Sequence, residues 1–131
     1  MNNITYPLAG KTPASPLPFS PVVRVGNLLF VSGQASVDAS GKIVSDTFEG
    51  EFNRSIFNLS AILQSAGSSL RQIVQTRCYV DCADDLGEYN ILYRAAFQEP
   101  YPARTTITNC FGGVLKFEID CIAVASDESA S

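Results

Sequence analysis

Histidine is absent from this chain of 131 residues. That excludes Ser-His-Asp and Cys-His hydrolases, and any His-ligated zinc or iron centre. Charge is sparse, at 17% of residues, and nine Lys and Arg face thirteen Asp and Glu for a net −4. A deficit of cations argues against a nucleic-acid partner. No run approaches the roughly 20 apolar residues of a membrane span. Residues 1–20 also lack the basic start and apolar run of a signal peptide. Cysteine occurs four times, at 78, 82, 110 and 121. The spacings C-x3-C and C-x10-C match neither a zinc ribbon nor a thioredoxin motif. We therefore expect a cytoplasmic protein with reduced thiols, no metal and no cofactor. Cys78, Cys110 and Cys121 read as strand core, and Cys82 as an exposed junction residue.

What is present is enough for a core: 46% of residues are apolar, on a length that suits one domain over 1–131. The first sixteen residues read as an irregular arm, and residues 126–131 as a polar tail. Pro13, Pro16, Pro18 and Pro21 forbid a helix over the stretch up to residue 21. Val22–Val25, the Gly26-Asn27 turn signal and Leu28–Ser32 predict a β-hairpin. Asp38–Gly41 reads as a turn, with a short extended segment over Lys42–Val44.

Asp46 and Glu49 fit a capping box, followed by Phe48, Phe52, Ile56, Leu59 and Leu63 at helical spacing up to Gly67. Ser69 and Gln72 predict one further helical turn, and Val74–Val80 a strand. Asp85 and Glu88 suggest a second box, ahead of a stripe from Leu86 to Phe97 that Pro100 stops. Arg104–Cys110 and Leu115–Ala125 read as strands. Two helices can cover one face of such a sheet. The other face keeps Ile122, Val124 and part of Leu28–Ser32 apolar. A partner chain, or a sheet closed on itself, must cover it.

Few polar residues can carry chemistry. Arg104 opens a strand, where its fork can hold a carboxylate or make a surface salt bridge. Glu118 lies mid-strand on the face that a partner would cover. A buried carboxylate there must meet an arginine or have a chemical task. Asp120 shares that face and is set aside. Gly33, between Ser32 and Gln34, permits close backbone approach to a ligand, or simply a bulge. Asn90 sits inside a helix against its propensity, which suggests a hydrogen bond to a neighbouring loop.

Together these residues resemble a known family. Phe19-Ser20-Pro21, Val31-Ser32-Gly33-Gln34, Asn58-Leu59, Ala66-Gly67, Tyr89-Asn90, Pro102-Ala103-Arg104 and Phe117-Glu118-Ile119-Asp120 are similar, in that order, to the Rid family (RidA/YjgF, also labelled endoribonuclease L-PSP). The resemblance implies an α+β, chorismate-mutase-like fold: a mixed sheet with two helices on one face, assembled as a homotrimer with clefts between subunits. It implies hydrolysis of small imino or enamino acids, such as 2-aminoacrylate, to 2-keto acids and ammonia. Arg104 would bind the substrate carboxylate and Glu118 would hold the attacking water. Phe19, Ser32, Gly33, Asn90 and Thr106 would line the cleft. Phe19 stands where the family often has Tyr, and Thr106 where it often has Cys. Both departures bear on which substrate is taken. The alternatives are a dedicated catabolic deaminase, of the aminomuconate type, and a non-catalytic trimer that binds a small carboxylate. The ribonuclease of the older label is opposed by the −4 charge and the missing histidine.

Overall fold

The computed structural model describes residues 3–9 and 17–126. Six strands form one sheet: β1 (Ile4–Thr5), β2 (Val22–Val25), β3 (Leu28–Ala35), β4 (Ile73–Val80), β5 (Ala103–Thr108) and β6 (Phe117–Val124). Their order across the sheet is β1-β2-β3-β6-β4-β5. Neighbours are antiparallel except β4 and β5. A parallel pair needs a crossover connection, and the helix α2 (Leu86–Ala96) supplies it. The longer helix α1 (Phe48–Ser65) connects β3 to β4 through a 3-10 turn at Leu70–Gln72.

Both helices lie on one face, as the residue pattern predicted. Phe117, Ile119, Cys121 and Ala123 of β6 alternate inward beneath them. Phe52, Tyr89 and Phe117 pack ring to ring, with Phe52 and Phe117 centroids 4.7 Å apart. Leu29, Leu59, Leu63 and Ile119 complete a fully buried centre. No helix among the described residues is long and apolar enough to cross a membrane.

The opposite face carries no helix among the described residues. Val25, Leu28, Phe30, Ile107 and Val124 are 36–42% exposed. The register pairs Val25 with Leu28, Leu28 with Val124 and Phe30 with Ile122, so Val25, Leu28, Phe30, Ile122 and Val124 form one apolar surface across β2, β3 and β6, and Ile107 stands apart on β5.

Several local expectations are corrected. The cap of α1 falls one residue later than Asp46: Thr47 Oγ1 accepts from the Gly50 N–H at 3.1 Å. The carboxylate that reaches back to the Asp46 N–H is that of buried Glu51, at 3.1 Å, and Glu49 stays exposed. Asp85 makes no side-chain cap on α2, because it is helical (φ −86°, ψ −3°) where an N-cap needs extended backbone. A 3-10 turn at Ala83–Asp85 leads the chain in. Lys42–Val44 makes only a single bridge, Val37 to Ile43. The arm is not wholly irregular: proline-free Ile4–Thr5 pairs with β2, and Leu8 is buried. Residues 10–16 and 127–131 lie outside the described residues.

Cys78 and Cys121 are buried and Cys82 exposed, as read, but Cys110 is exposed. Strand β5 ends at Thr108, and Asn109 turns the chain with φ 57°. The Asp81 carboxylate then captures the N–H groups of Phe111 and Gly113, at 2.7 and 2.8 Å.

Candidate functional site

Arg104 opens β5 directly opposite Thr76 of β4. Thr76 is fully buried under the helices, so the arginine leaves the sheet on the helical side. Its Nη1 donates to Asn90 Oδ1 at 2.9 Å. Asn90 Nδ2 donates in turn to the Leu86 carbonyl at 3.1 Å, which fixes the amide with its oxygen toward the guanidinium. This explains a poor helix former inside α2: its partner is the β5 arginine.

The guanidinium carbon lies 4.9 Å from the ring centroids of both Tyr89 and Tyr93. Cation–ring attraction of this kind holds a charge in place without neutralising it. The phenols are themselves anchored. Tyr89 Oη and Thr106 Oγ1 are 2.8 Å apart, as are Tyr93 Oη and Thr76 Oγ1. Burial pushes the Tyr93 hydroxyl up to about 12, and burial likewise raises that of Tyr89. Both rings therefore stay uncharged near neutral pH. Among the described residues, no carboxylate pairs with Arg104.

A cleft of about 270 Å³ opens beside this arginine, lined by Asn90, Tyr93, Arg94, Tyr101, Pro102 and Arg104. The sequence reading missed the tyrosines as site residues. Tyr93 was legible only as part of an apolar stripe, and Tyr89 only there and as the neighbour of Asn90 in the resemblance, although their spacing of four places both on the face that α2 turns to Arg104.

Glu118 lies elsewhere. It pairs with Tyr79 of β4 and with Ala35 of β3, in register. Tyr79 stands three residues after Thr76, so Glu118 and Arg104 leave the sheet on opposite faces. The register between β3 and β6 shifts between Val31 and Gln34, a bulge that holds Ser32 and Gly33. It sets Gly33 against the Glu118 carboxylate. The Ser32 hydroxyl donates to the Ser20 carbonyl at 2.6 Å, and the Ser32 N–H to the Pro21 carbonyl at 3.0 Å. The segment with exposed Phe19 is thus tied to the bulge.

Burial, and secondarily the negative Asp120, raise the Glu118 carboxyl above its ordinary value. No hydrogen-bond donor among the described residues meets it. Asp120 is fully engaged, accepting from Arg77 Nε at 2.9 Å and Tyr79 Oη at 2.7 Å. It holds the strand surface together, consistent with its being set aside above.

One chain therefore carries two separate clusters. Arg104, Asn90 and Thr106 gather around α2 on the helical side. Glu118, Gly33, Ser32 and the Phe19 segment gather on the open side.

Two helices on one face of a mixed six-stranded sheet, with an apolar open face opposite, define an α+β protein of the YjgF/L-PSP type. Residues 9–125 match the family described as Endoribonuclease L-PSP, and the chain belongs to it. This is the Rid family of the sequence resemblance. The chain is 37% identical over 112 residues to the protein mmf2, mitochondrial, of Schizosaccharomyces pombe, covering 81% of this chain and 86% of that one. It is 31% identical over 115 residues to Reactive Intermediate Deaminase A, chloroplastic, of Arabidopsis thaliana, covering 86% of this chain and 62% of that one. The crystal structure of RidA from an Antarctic Psychrobacter superposes with a TM-score of 0.78 at 27% identity, covering 95% of this chain and 99% of that one.

Proposed function

We propose that this protein hydrolyses small 2-imino or 2-enamino acids to 2-keto acids and ammonia. The observation that carries this reading is the Arg104 guanidinium, held by Asn90 and two aromatic faces at a cleft with no acidic residue in its lining. A planar fork fixed in this way is organised to take a carboxylate. A relative named Reactive Intermediate Deaminase A supports the reaction class.

The chemistry asks little of the protein. An imine, R–C(=NH)–COO⁻, becomes a strong electrophile once protonated. Water adds to the C=N carbon, the carbinolamine collapses, and R–C(=O)–COO⁻ and NH3 leave. An enamine reaches the same path after proton transfer to carbon. Arg104 orients the carboxylate next to the reacting carbon, and a carboxylate holds the attacking water. Orientation of this kind supplies several kcal/mol of barrier reduction, on the order of 7 where alignment is near ideal. Glu118 is the water-holding carboxylate in this reading.

Because Glu118 and Arg104 leave opposite faces of one sheet, the complete site forms between two copies. The exposed apolar face supports a homotrimer with one cleft at each subunit boundary. Action without a nucleic-acid partner fits the net charge of −4.

The deciding experiment generates 2-iminopropanoate from alanine with an amino-acid oxidase and follows its loss. The wild-type protein should accelerate that loss and Arg104→Ala should not. Absence of acceleration at any protein concentration would leave a carboxylate-binding trimer without catalysis. RNA cleavage that persists through stringent purification and disappears in Arg104→Ala would revive the older ribonuclease label.

A further inference from the structure

Strand β4 lies between β5 and β6 in the sheet, so the chain that joins β5 to β6 must cross the end of β4. Asp81, the residue just beyond β4, organises that crossing. Its carbonyl accepts from the Asn109 N–H at 2.9 Å, and its own N–H donates to the Lys116 carbonyl at 3.2 Å. Its carboxylate takes the N–H groups of Phe111 and Gly113. Gly112 and Gly113 have φ of 59° and 90°, and the Val114 N–H closes the turn on the Phe111 carbonyl at 3.2 Å. Two central residues of positive φ make this a type I′ turn, which suits glycine. Phe111 opens the turn and is thus held at a fixed point. The Phe111 N–H first, then that of Gly113, hold the Asp81 carboxyl below its ordinary value, so these charge-assisted bonds persist at neutral pH.

The Phe111 ring meets that of Tyr79 edge-on, with centroids 6.2 Å apart and planes at 62°. Tyr79 is the cross-strand partner of Glu118 and shares its face of the sheet. The Tyr79 hydroxyl is itself pinned to Asp120. A line of fixed groups therefore runs from Asp81 through Phe111 and Tyr79 to the Glu118 carboxylate.

We infer that Phe111 is a positioning residue of the Glu118 site: its ring, set by Asp81, stands with Tyr79 as a wall that keeps bulk water from the water Glu118 holds. The inference rests on the role proposed for Glu118 and adds what encloses its water. Phe111, Tyr79 and Glu118 belong to one chain, so the wall arrives at each subunit boundary with the carboxylate, whichever copy supplies the arginine. Burial is the main cause of the raised Glu118 carboxyl. Removing part of the wall lets water solvate the carboxylate and favours its charged form.

The competing account is that Phe111 only packs against Tyr79 for stability. Packing alone would move the melting temperature and leave two other readouts in place. The first is kcat and KM for 2-iminopropanoate generated in place. The second is the titration of the Glu118 carboxyl by NMR, with an isotope label at glutamate Cδ and the signal assigned by its loss in Glu118→Gln. Phe111→Ala should lower kcat about tenfold and leave KM within about twofold. Its Glu118 midpoint should fall toward the ordinary glutamate value. The other groups that face Glu118 are unaltered in this variant: Asp120 on β6, Tyr79 and Arg77 on β4, Cys110 on the crossing, and Arg104 of the neighbouring copy in the proposed assembly. Phe111→Leu, which keeps an apolar side chain, should recover most of both readouts. Asp81→Asn can accept through one oxygen only, and should move both in the same direction as Phe111→Ala. If Phe111→Ala does not fold, Asp81→Asn decides by the same measurements. A wild-type kcat or a wild-type midpoint in the deciding variant overturns the inference. The titration separates it from the proposed reaction. In a protein that hydrolyses no imine, a lowered midpoint upholds the wall and removes the deaminase. Imine hydrolysis with neither readout responding does the reverse.

Discussion

Gly33 stands so close to Glu118 that a Cβ on it would lie 2.5 Å from Oε2 and 2.8 Å from Cδ of that carboxylate. The backbone of Gly33 does not need glycine for its own conformation, since its φ lies outside the left-handed region. The requirement comes from the neighbour alone. In Gly33→Ala the Glu118 side chain must swing aside, and because the atoms in the way are the end of a flexible chain, folding should be little affected. Turnover should suffer instead. Misplacement of a positioning group by about 1 Å costs up to about 100-fold. We expect kcat for imine hydrolysis to fall about 10- to 100-fold, with the melting temperature nearly unchanged. Wild-type kcat in this variant would remove Glu118 from the site.

Glu118 also sets a pH dependence. Burial first, then the charge of Asp120, raises its carboxyl above 4.5. If the ionised form holds the attacking water, the acid limb of kcat should be displaced upward from the ordinary value of a glutamate, and Glu118→Gln should abolish that limb. The sign for stability is also defined. A raised value means that the folded state favours the neutral acid. The contribution to stability is complete below the unfolded value and is lost as pH rises through the folded one. Glu118→Gln should therefore melt higher than wild type near neutral pH, with the gain disappearing at about pH 4 and below. A variant less stable than wild type at neutral pH would contradict this.

Glu51 is a carboxylate with a purely structural task. It is 1% exposed. Its Oε1 accepts from the Lys116 N–H at 2.9 Å, and its Oε2 accepts from the Asp46 N–H at 3.1 Å and meets Lys116 Nζ at 3.4 Å. The start of α1 is thereby fastened to the chain entering β6. Glu51→Ala strands two backbone donors at once. With about 1–3 kcal/mol lost for each unsatisfied group, the cost should be about 2–6 kcal/mol. Chemical denaturation should show it, and a loss below 1 kcal/mol would mean that water replaces the carboxylate freely.

Glu51 also marks where sequence reading stops. The strands, the two helices and the Gly26-Asn27 hairpin were legible because alternation and 3.6-residue spacing are local properties of the chain. The Asp46–Glu49 capping box was local too, but it failed by one residue. Which carboxylate turns back depends on burial, and Glu51 faces the start of β6 while Glu49 faces solvent. Cys110 was misplaced for a similar reason, since Asp81, distant in sequence, ends its strand through two hydrogen bonds. Arg104, Asn90 and Glu118 were each singled out as unusual for their settings. Their relative placement was not readable. It depends on the register of β4 against β5 and β6, and two bulges, at Val31/Gln34 and Ile73/Gln75, shift the pairing in ways that no single strand reveals.

Arg104→Lys examines the fork apart from the charge. Lysine keeps the cation but presents no planar pair of donors. It also loses the flat group that lies over Tyr89 and Tyr93. We expect a loss of about 1.5–3 kcal/mol, roughly ten- to a hundredfold in kcat/KM. Arg104→Ala should lose more and keep its oligomeric state by light scattering. Collapse of the assembly in Arg104→Ala would identify the arginine as an interface salt bridge.

The opposite faces of Arg104 and Glu118 lead to the most decisive test. If each site takes its arginine from one copy and its carboxylate from the next, Arg104→Ala and Glu118→Gln chains are complementary. Homogeneous assemblies of either variant contain no complete site. Mixed by unfolding and refolding at equal amounts, about a quarter of the subunit boundaries bring a wild-type arginine against a wild-type glutamate. Imine hydrolysis should then recover to about a quarter of the wild-type rate, and should rise and fall with the mixing ratio. If both groups instead come from one chain, every site in the mixture lacks one of them, and activity stays at the level of the parents. Recovery requires exchange of subunits, so light scattering of the mixture must first show one oligomeric species with both chains present. Failure to recover in that confirmed mixture would refute the shared site, and with it the role of the open sheet face in bringing two copies together around the substrate.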